Sequence, residues 1–386
     1  MPVLNRIAGY ADDMTEWRRW LHRHPELGFE CHKTAAFVAE KLRAFGVDEI
    51  HEGIATTGIV AIINGQGEGP TMGLRADMDA LPMDEITGAD YASETPGKMH
   101  ACGHDGHTTM LLGAARYLAE TRRFKGRVAL IFQPAEEGAG GGKVMVDEGI
   151  MDRFRIERVF ALHNAPGSEM GHLLTRPGPI LASADEFRVT VTGVGGHAAQ
   201  PQQCRDPIMA ATAMVQAFQT ILSRNTDALD QLVISVATIQ GGTAFNIIPD
   251  TCSFTGTVRT FRPEVKEMVI ARMEEVVGGT AAAFGVSAEL DYIRGYPPTV
   301  NDAAQVDFAA RVAADVVGAD AVTPDQPPQM PAEDFSYMLE KRPGAYLNLG
   351  QGETASCHHP AYDFDDEIAP IGASFFARLV EIGQPV

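Results

Sequence analysis

Residues 128–142 read VALIFQPAEEGAGGG, an unbroken apolar run followed by two adjacent carboxylates, Glu136 and Glu137, and a glycine-rich segment. A short apolar run of this kind is typical of a strand that is buried on both faces, as in a parallel sheet covered by helices. In open α/β sheets, ligands collect at the carboxyl ends of such strands. The stretch therefore predicts an α/β fold and places Glu136 and Glu137 where a site is expected.

Periodic patterns on both sides of this stretch predict two domains. They indicate helices over 12–22, 33–45 and 108–120, and strands near 58–63, 71–74 and 345–350. In contrast, EFRVTVTG at 186–193 alternates polar and apolar residues, as do 234–242 and 252–261, with helical patterns at 207–222 and 263–284 between and after them. We therefore expect a smaller α+β domain at 184–291, inserted into a discontinuous domain formed by 1–183 plus 292–386.

Composition restricts the classes of protein and partner. The 386 residues exceed what one core usually organises, and 51 acidic against 31 basic residues give a formal charge of −20, which repels nucleic acid and anionic membranes. Five scattered cysteines favour a reducing compartment. The first 20 residues lack the apolar core of a signal peptide, and no run approaches the roughly 18 apolar residues of a membrane span. We expect a cytoplasmic protein.

Four segments carry residue types that bind metal ions in hydrolases, namely thiolate, imidazole and carboxylate. They are MHACGHDGH (99–107) with His100, Cys102, His104, Asp105 and His107, FQPAEEG (132–138) with Glu136 and Glu137, FALHNAPG (160–167) with His163, and SCHHPAYDF (356–364) with Cys357, His358 and His359. Each segment alone is more often structural than functional. Because several of them follow apolar strands of one domain, together they predict a shared metal site.

Local spacing suggests how these side chains divide the chemistry. On extended chain Cys102 and His104 would point to the same side, whereas the adjacent Glu136 and Glu137 would diverge. One carboxylate could then bind metal while the other acts as general base on a water. A buried structural thiol, or a thiol nucleophile paired with a histidine, is an alternative role for Cys102.

Supporting residues are indicated elsewhere in the chain. LRADMDALP at 74–82 places Asp77 and Asp79 after an apolar strand, where they form a turn or accept a hydrogen bond from a metal-ligating imidazole. In the inserted domain, His197, Asn246 and Arg259 lie in hairpin-like or strand segments. They are either ordinary surface residues or the neutral donors and the arginine fork that bind an oxyanion and a substrate carboxylate.

Seven motifs occur here in the order and approximate spacing of the M20 metallopeptidase family, in its amidohydrolase branch. They are RADMDALP, MHACGHDGH, QPAEEG, HNAPG, GGHAAQP, FNIIPD and AEDFSYM. The chain resembles this branch, which includes hippurate hydrolases, N-acyl-amino-acid amidohydrolases and auxin-conjugate hydrolases, over nearly its whole length. The resemblance implies a two-domain α/β fold: a mixed-sheet, zinc-exopeptidase-like catalytic domain with an inserted α+β domain that serves as a lid and in dimerisation.

The resemblance also implies a role for each candidate residue. Cys102 would bridge two divalent ions, His104 and His163 would complete the first ion's ligands, and Glu137 and His358 the second's. His358 is chosen over His359 because the family pattern reads His-x-Pro. Glu136 would be the general base, and Asp79 would support a ligand. His197 would reach the substrate across a dimer interface, and Asn246 and Arg259 would bind substrate.

These assignments predict a hydrolase of N-acyl amino acids, such as hippurate-like or N-acetyl compounds. Glu136 would take a proton from a water activated by the ions, which the ligand types allow to be zinc, manganese, cobalt or nickel. Two other functions remain compatible with the residues. They are a thiol hydrolase with Cys102 as nucleophile, and a non-catalytic protein that binds small molecules on the same fold.

Overall fold

The structure, a computed structural model, describes residues 3–386, which form two compact units. The first unit comprises 3–180, 299–328 and 334–386, and the second comprises 181–298 and 329–333. The second unit thus interrupts the first in sequence. That the first is catalytic and that 184–291 acts as a lid and in dimerisation remain predictions.

The described residues form helices and strands throughout both units. The helices are α1 (Asn5–Ala8), α2 (Ala11–Arg23), α3 (His32–Ala44), α4 (His104–Thr121), α5 (Gly141–Asp147), α6 (Ile150–Arg153), α7 (Pro207–Thr220), α8 (Pro263–Phe284), α9 (Ala303–Val317), α10 (Ser336–Leu339) and α11 (Ala369–Gly383). The strands are β1 (Glu49–Ile54), β2 (Gly58–Asn64), β3 (Thr71–Asp77), β4 (Arg127–Gln133), β5 (Ile156–Ala165), β6 (Leu173–Leu174), β7 (Gly178–Leu181), β8 (Ala184–Thr192), β9 (Gly196–His197), β10 (Leu232–Gly241), β11 (Ile247–Ile248), β12 (Thr251–Thr260), β13 (Ser287–Tyr296), β14 (Thr299–Asn301), β15 (Val322–Thr323) and β16 (Gly344–Gly350).

The first unit is built on a mixed sheet with the strand order β1-β2-β4-β3-β5-β16-β6-β15. Strands β4, β3, β5 and β16 are parallel to one another. Strands β1 and β2 run antiparallel to their neighbours, and β6 is antiparallel to β16 but parallel to β15. The central strands are buried on both faces, which explains their continuous apolar sequences. The predicted mixed α/β sheet is confirmed, and the carboxyl ends of its parallel strands share one edge.

Helix α4 packs against this sheet and begins earlier than predicted. The pattern indicated a helix over 108–120, but α4 starts at His104, directly after Gly103 in a left-handed conformation with φ of 92°. Most of α4 is buried, including its first turn, whose polar residues lack the apolar periodicity that predicts a helix. The expectation that Cys102 and His104 lie on one extended segment is therefore wrong, since a turn and a helix start separate them.

The second unit contains an antiparallel sheet with the strand order β10-β12-β8-β13. Side chains of β8 alternate between buried and exposed, as its sequence predicted. Helices α7 and α8 cover the buried face around Phe187, Phe218 and Phe254, whose rings contact one another edge to face. Within residues 3–386, no helix has both the length and the apolar character needed to cross a bilayer.

Candidate metal centre

Candidate ligands lie at the start of one helix and near or after the carboxyl ends of three parallel strands of the first unit. Cys102 and His104 lie where the chain enters α4, and Glu137 follows β4. His163 lies near the end of β5, and His358 lies in the segment after β16. Parallel strands deliver their carboxyl ends to the same edge of a sheet, so residues distant in sequence meet there.

These side chains form groups compact enough to hold metal ions. Ligand atoms lie within 4.8 Å of one another in each of three groups: Cys102, His104 and His163; Cys102, Glu137 and His358; and His104, Glu136 and Glu137. Cys102 belongs to the first two groups. A single thiolate flanked by two sets of ligands is the arrangement that a bridging ligand requires.

His104 presents one nitrogen to the centre. Its Nδ1 lies 2.8 Å from the backbone oxygen of Asp79, and because a carbonyl only accepts, Nδ1 carries the proton of that bond. Its Nε2 is buried yet has no hydrogen-bond partner among the described residues. Carboxylate oxygens of Asp77 and Glu137 lie 3.7 and 3.9 Å from this nitrogen. An orphaned nitrogen facing carboxylates fits a site for a cation.

The electrostatics around His104 favour positive charge. Burial alone would lower its pKa, but the carboxylates of Asp77 and Asp79 outweigh burial and raise the pKa well above the ordinary value. A divalent ion would supply the same positive charge that the proton supplies here. The residues therefore fit a metal ion both in their chemistry and in their charge.

His163 is held in the form that binds metal. Its Nδ1 donates to the backbone oxygen of Asn164 at 2.7 Å, which leaves Nε2 to face Cys102 Sγ at 3.5 Å. Burial, and then the neighbouring charge of His107, lowers the pKa of His163 well below its ordinary value. His163 is therefore neutral, as a metal-ligating imidazole must be.

Asp79 supports the centre in a way that the sequence did not indicate. Its carboxylate oxygens accept the backbone N–H groups of Glu136 at 3.0 Å and Glu137 at 3.1 Å. The imidazole of His104 bonds instead to the backbone oxygen of Asp79. Asp79 thus fixes both carboxylate-bearing residues as well as one histidine.

Glu136 and Glu137 lie in a turn rather than on extended chain. Ala135 adopts a left-handed φ of 58°, and residues 137–139 turn back toward helix α5. Both carboxylates consequently come within 4.8 Å of His104, so the expected divergence of neighbouring side chains is wrong. Glu136 is 8% exposed, which places it inside the centre.

Asp77 and His107 are bonded to other protein groups rather than open toward an ion. Asp77 accepts from Arg75 Nη1 at 2.7 Å and contacts His107 Nδ1 at 2.6 Å. The other His107 nitrogen lies 2.7 Å from Asn164 Oδ1. Although Asp77, His104 and His107 form a compact group, these bonds give Asp77 and His107 a supporting position behind the ligands.

His358 occupies the open side of the centre. Its side chain is 55% exposed, and its Nε2 lies 3.2 Å from Glu137 Oε1. Its backbone N–H donates to Ala101 at 2.7 Å, which ties the segment to the residue before Cys102. The nearby carboxylate of Glu137 raises the pKa of His358 despite partial burial.

The surroundings of Cys102 do not suit a free thiolate nucleophile. A hydrogen bond with Cys357, then burial and the carboxylates of Glu137 and Glu136, raises the pKa of Cys102 well above its ordinary value. Nucleophilic cysteines have lowered pKa values in electropositive surroundings. A metal ion, in contrast, would take the proton's place on the sulfur.

The candidate substrate-binding residues lie in the second unit. His197 pairs with Ile247 between β9 and β11, and the backbone oxygen of Asn246 accepts from Ala198 at 3.1 Å. His197 and Asn246 are thus near each other on an exposed hairpin-like pair. Arg259 lies on β12 and donates to Thr257 Oγ1 at 2.6 Å. Their roles toward substrate remain predictions.

Sequence reasoning missed Asn164 and gave no role to His107, although both are buried beside the ligands. The only signal for Asn164 was its position next to His163 in the HNAPG motif. His107 was noted within the cluster at 99–107, but its bonds to Asp77 and Asn164 depend on residues 30 and 57 positions away. The spacing of residues within one motif does not indicate such contacts.

The fold and the donor set define a metal-dependent hydrolase of the mixed α/β type. A family model described as peptidase family M20/M25/M40 matches residues 73–382. The chain belongs to this family, as its motifs predicted, and is a metal-dependent amidohydrolase.

Similar proteins cover almost the whole chain. The hippurate hydrolase of Campylobacter jejuni is 37% identical, with 98% of each chain covered. An N-acetyl-L-cysteine deacetylase of Bacillus subtilis is 42% identical, with 93% of this chain and 85% of that protein covered. A solved structure from Bacillus subtilis, a dinuclear metal-binding peptidase of the M20 family, has 34% identity and a TM-score of 0.86, covering 97% of this chain and 98% of the other.

Proposed function

We propose that this chain hydrolyses the amide bond that joins an acyl group to an amino acid, using two divalent metal ions. The names of two relatives support the substrate class, because hippurate and N-acetylcysteine both contain an acyl group in amide linkage to an amino acid. Their acyl groups differ widely in size. The shared element is therefore the linkage, and the acyl group and amino acid that this chain prefers are left to a substrate panel.

One observation carries the proposal: two compact ligand groups share Cys102, and the carboxylate of Glu136 lies alongside them. In our assignment Cys102, His104 and His163 hold the first ion, and Cys102, Glu137 and His358 hold the second. Sulfur, nitrogen and carboxylate ligands suit zinc, manganese, cobalt or nickel. Glu136 belongs to neither of these two groups, and we assign it the proton transfer.

When bound, divalent ions lower the pKa of water and polarise a carbonyl. Glu136 takes a proton from the attacking water, whose oxygen forms a bond to the carbonyl carbon. Glu136 then returns that proton to the leaving nitrogen as the C–N bond breaks. The products are the carboxylate of the acyl group and the free amino acid. Asp79 keeps Glu136 in place through the Glu136 backbone N–H.

The test compares two neighbouring glutamates. In Glu136→Gln the protein should keep two ions per chain while kcat falls about 10²–10⁴-fold, the usual value of a general acid–base group. In Glu137→Gln the matched variant should lose one ion. Metal content is measured by mass spectrometry of the purified protein. Full turnover by Glu136→Gln would refute its role.

Chelation separates this function from a thiol hydrolase. Dialysis against a chelator should abolish turnover of N-acyl amino acids, and adding a divalent ion back should restore it. A thiol hydrolase with Cys102 as nucleophile would keep its activity without metal. A non-catalytic binding protein would show no turnover in either state.

The inserted unit supplies the remaining part of the proposal. His197 would stabilise the oxyanion from a second copy of the chain, and Asn246 and Arg259 would bind the amino-acid part of the substrate, as the family resemblance implies. We accordingly propose a homodimer or higher homo-oligomer that forms through the inserted unit, and from the cysteine usage we propose a cytoplasmic location. A monomer with full activity in sedimentation and kinetic measurements would contradict the contribution of His197 from a partner.

A further inference from the structure

Asn164 lies directly beneath the centre and contacts three of the segments that carry ligands. It is 2% exposed, and its backbone oxygen, Oδ1 and Nδ2 each lie within hydrogen-bond distance of another residue. Its backbone oxygen accepts from His163 Nδ1 at 2.7 Å. That bond fixes the tautomer of His163 and leaves Nε2 open toward Cys102.

The side chain of Asn164 supports His163 from a second direction. Asn164 Oδ1 lies 2.7 Å from His107 Nε2, and the ring of His107 packs edge-on against the ring of His163 at 4.3 Å between centroids. The position of His163 therefore depends on Asn164 both through the backbone and through a neighbouring ring.

The same side chain meets the segment between Cys102 and His104. Gly103 lies so close that a methyl group on its α-carbon would overlap Asn164 Oδ1 and the hydroxyl of Tyr362. Gly103 has a φ of 92°, which glycine adopts without strain. Asn164 thus limits how closely the Cys102–His104 turn can approach the sheet.

The amide nitrogen of Asn164 reaches the segment that carries His358. It donates to the hydroxyl of Tyr362 at 2.8 Å and to Gln351 Oε1 at 3.0 Å, and it lies 3.9 Å from Cys357 Sγ. Tyr362 is completely buried, so this contact anchors the segment four residues after His358.

We propose that Asn164 is a positioning residue of the metal centre, which sets the distances between the Cys102–His104 turn, His163 and the His358 segment. This inference rests on the proposed function, since it assumes that those residues hold the ions. Asn164 itself donates no atom to an ion, because its carbonyl, amide and side-chain groups are bonded to protein. It acts on the ions only through the ligands.

Three variants measure this role in the full-length enzyme. Asn164→Asp keeps the shape but removes the two amide hydrogens, Asn164→Ala removes the side chain, and Tyr362→Phe removes a single oxygen. Each should weaken zinc binding about 10–100-fold, the usual effect of losing a group that orients a metal ligand. Affinity is measured by competition with a chromophoric chelator, independently of turnover.

A matched control removes ordinary loss of stability as an explanation. Asn301 is similarly buried, and its side-chain amide bonds Thr175, Arg176 and Tyr346, none of which belongs to the proposed ligand set. Asn301→Ala should lower the unfolding temperature as Asn164→Ala does and leave zinc affinity unchanged. Equal zinc affinity in the wild type and in Tyr362→Phe and Asn164→Asp would overturn the proposal.

A ligand variant distinguishes failure of this inference from failure of the proposed function. His163→Ala should lose zinc affinity in the same assay. If His163→Ala loses affinity while the Asn164 and Tyr362 variants bind as the wild type does, only the positioning role is refuted. If His163→Ala also binds normally, the ligand assignment is wrong, and the positioning role fails with it. Should Asn164→Ala not fold, Tyr362→Phe alone decides the outcome.

Discussion

The two halves of the metal centre differ in how firmly the protein holds them. In the inner half, His104 and His163 are each fixed by a backbone carbonyl and are enclosed by the sheet and helix α4. In the outer half, His358 is 55% exposed, adopts a left-handed φ of 64°, and contacts the carboxylate of Glu137. In the proposed assignment, the residues of one ion site are therefore held in place by the protein interior, whereas those of the other depend on a surface segment.

Replacing one histidine in each half should have the largest effect on metal content and turnover, and the two replacements should differ in which ion is lost. We expect His163→Ala to lose the first ion and nearly all turnover, because the ion would keep only Cys102 and His104. We expect His358→Ala to lose the second ion and keep the first. Metal analysis of both purified variants counts the ions that each one keeps, and a folded His358→Ala variant that holds no ion would contradict an inner site that forms without the outer one.

Chelator titration of the unmodified enzyme should show whether the two ions differ in how readily they leave. The outer ion should leave first, because the exposed His358 can rotate away without disturbing the buried residues. Below neutral pH the outer ion should leave more readily still, because a proton on His358, whose pKa is raised by Glu137, competes with the metal. Metal content and turnover followed against chelator concentration should show two steps. A single step releasing both ions together would contradict this picture.

Asp79 bonds to His104 of the inner half and to the backbone of Glu137 in the outer half. Altering Asp79 should therefore lower turnover, but by less than the loss of a ligand does. Asp79→Asn retains one oxygen but turns an amide group toward a backbone N–H of Glu136 or Glu137. We expect kcat to fall about 10–100-fold with both ions still bound at saturating metal. Asp84→Asn is the control, since the Asp84 side chain also accepts a backbone N–H, from Gly97 at 2.9 Å, but lies on the exposed surface. Equal kcat in the two variants would contradict the role of Asp79 in holding Glu136 and Glu137 in place.

The smallest expected effect is on the stability of the fold, and it comes from His22 and Asp105, a buried hydrogen-bonded pair behind the inner half. Burial would lower the pKa of His22, but its hydrogen bonds to Asp105 and Glu85 raise it to about 9. The raised pKa stabilises the fold fully below pH 6.5, and this stabilisation is lost as the pH rises through 9. It amounts to about 3 kcal/mol, since one pKa unit corresponds to about 1.4 kcal/mol.

Denaturant unfolding of the metal-free protein at pH 6 and at pH 9.5 measures this contribution. The difference in unfolding free energy between the wild type and His22→Gln should shrink at the higher pH. His32→Gln is the control, because His32 is exposed on the surface beside Glu30. A difference that stays constant with pH would show that His22 is not charged in the folded protein.

The strands and the ligand types were predictable because they depend on local patterns. The apolar run of β4 and the alternation of β8 each reflect the burial of one short segment, and both predictions are confirmed. The family followed from the combined motifs, and the match over residues 73–382 confirms it. The assignment of Glu136 and the five ligands to roles is supported by their proximity and remains a proposal.

The local geometry of the centre was not predictable because it is set by contacts distant in sequence. The early start of α4 depends on Gly103, which lacks a side chain because Asn164 and Tyr362 occupy that space. The turn at Glu136 depends on Asp79, 57 residues earlier. Neither requirement leaves a periodic signal in the sequence. The predictions of an extended segment at 102–104 and of diverging glutamates were therefore wrong.

Cys102 is the ligand that the proposed inner and outer halves share, so the metal content of Cys102→Ala shows directly whether one sulfur serves both ions. With the sulfur removed, each ion keeps two protein ligands of its three. We predict that the purified, folded variant holds no stoichiometric metal, whereas the wild type holds two ions per chain. A folded variant that still holds two ions, or that loses only one, would contradict a bridging Cys102.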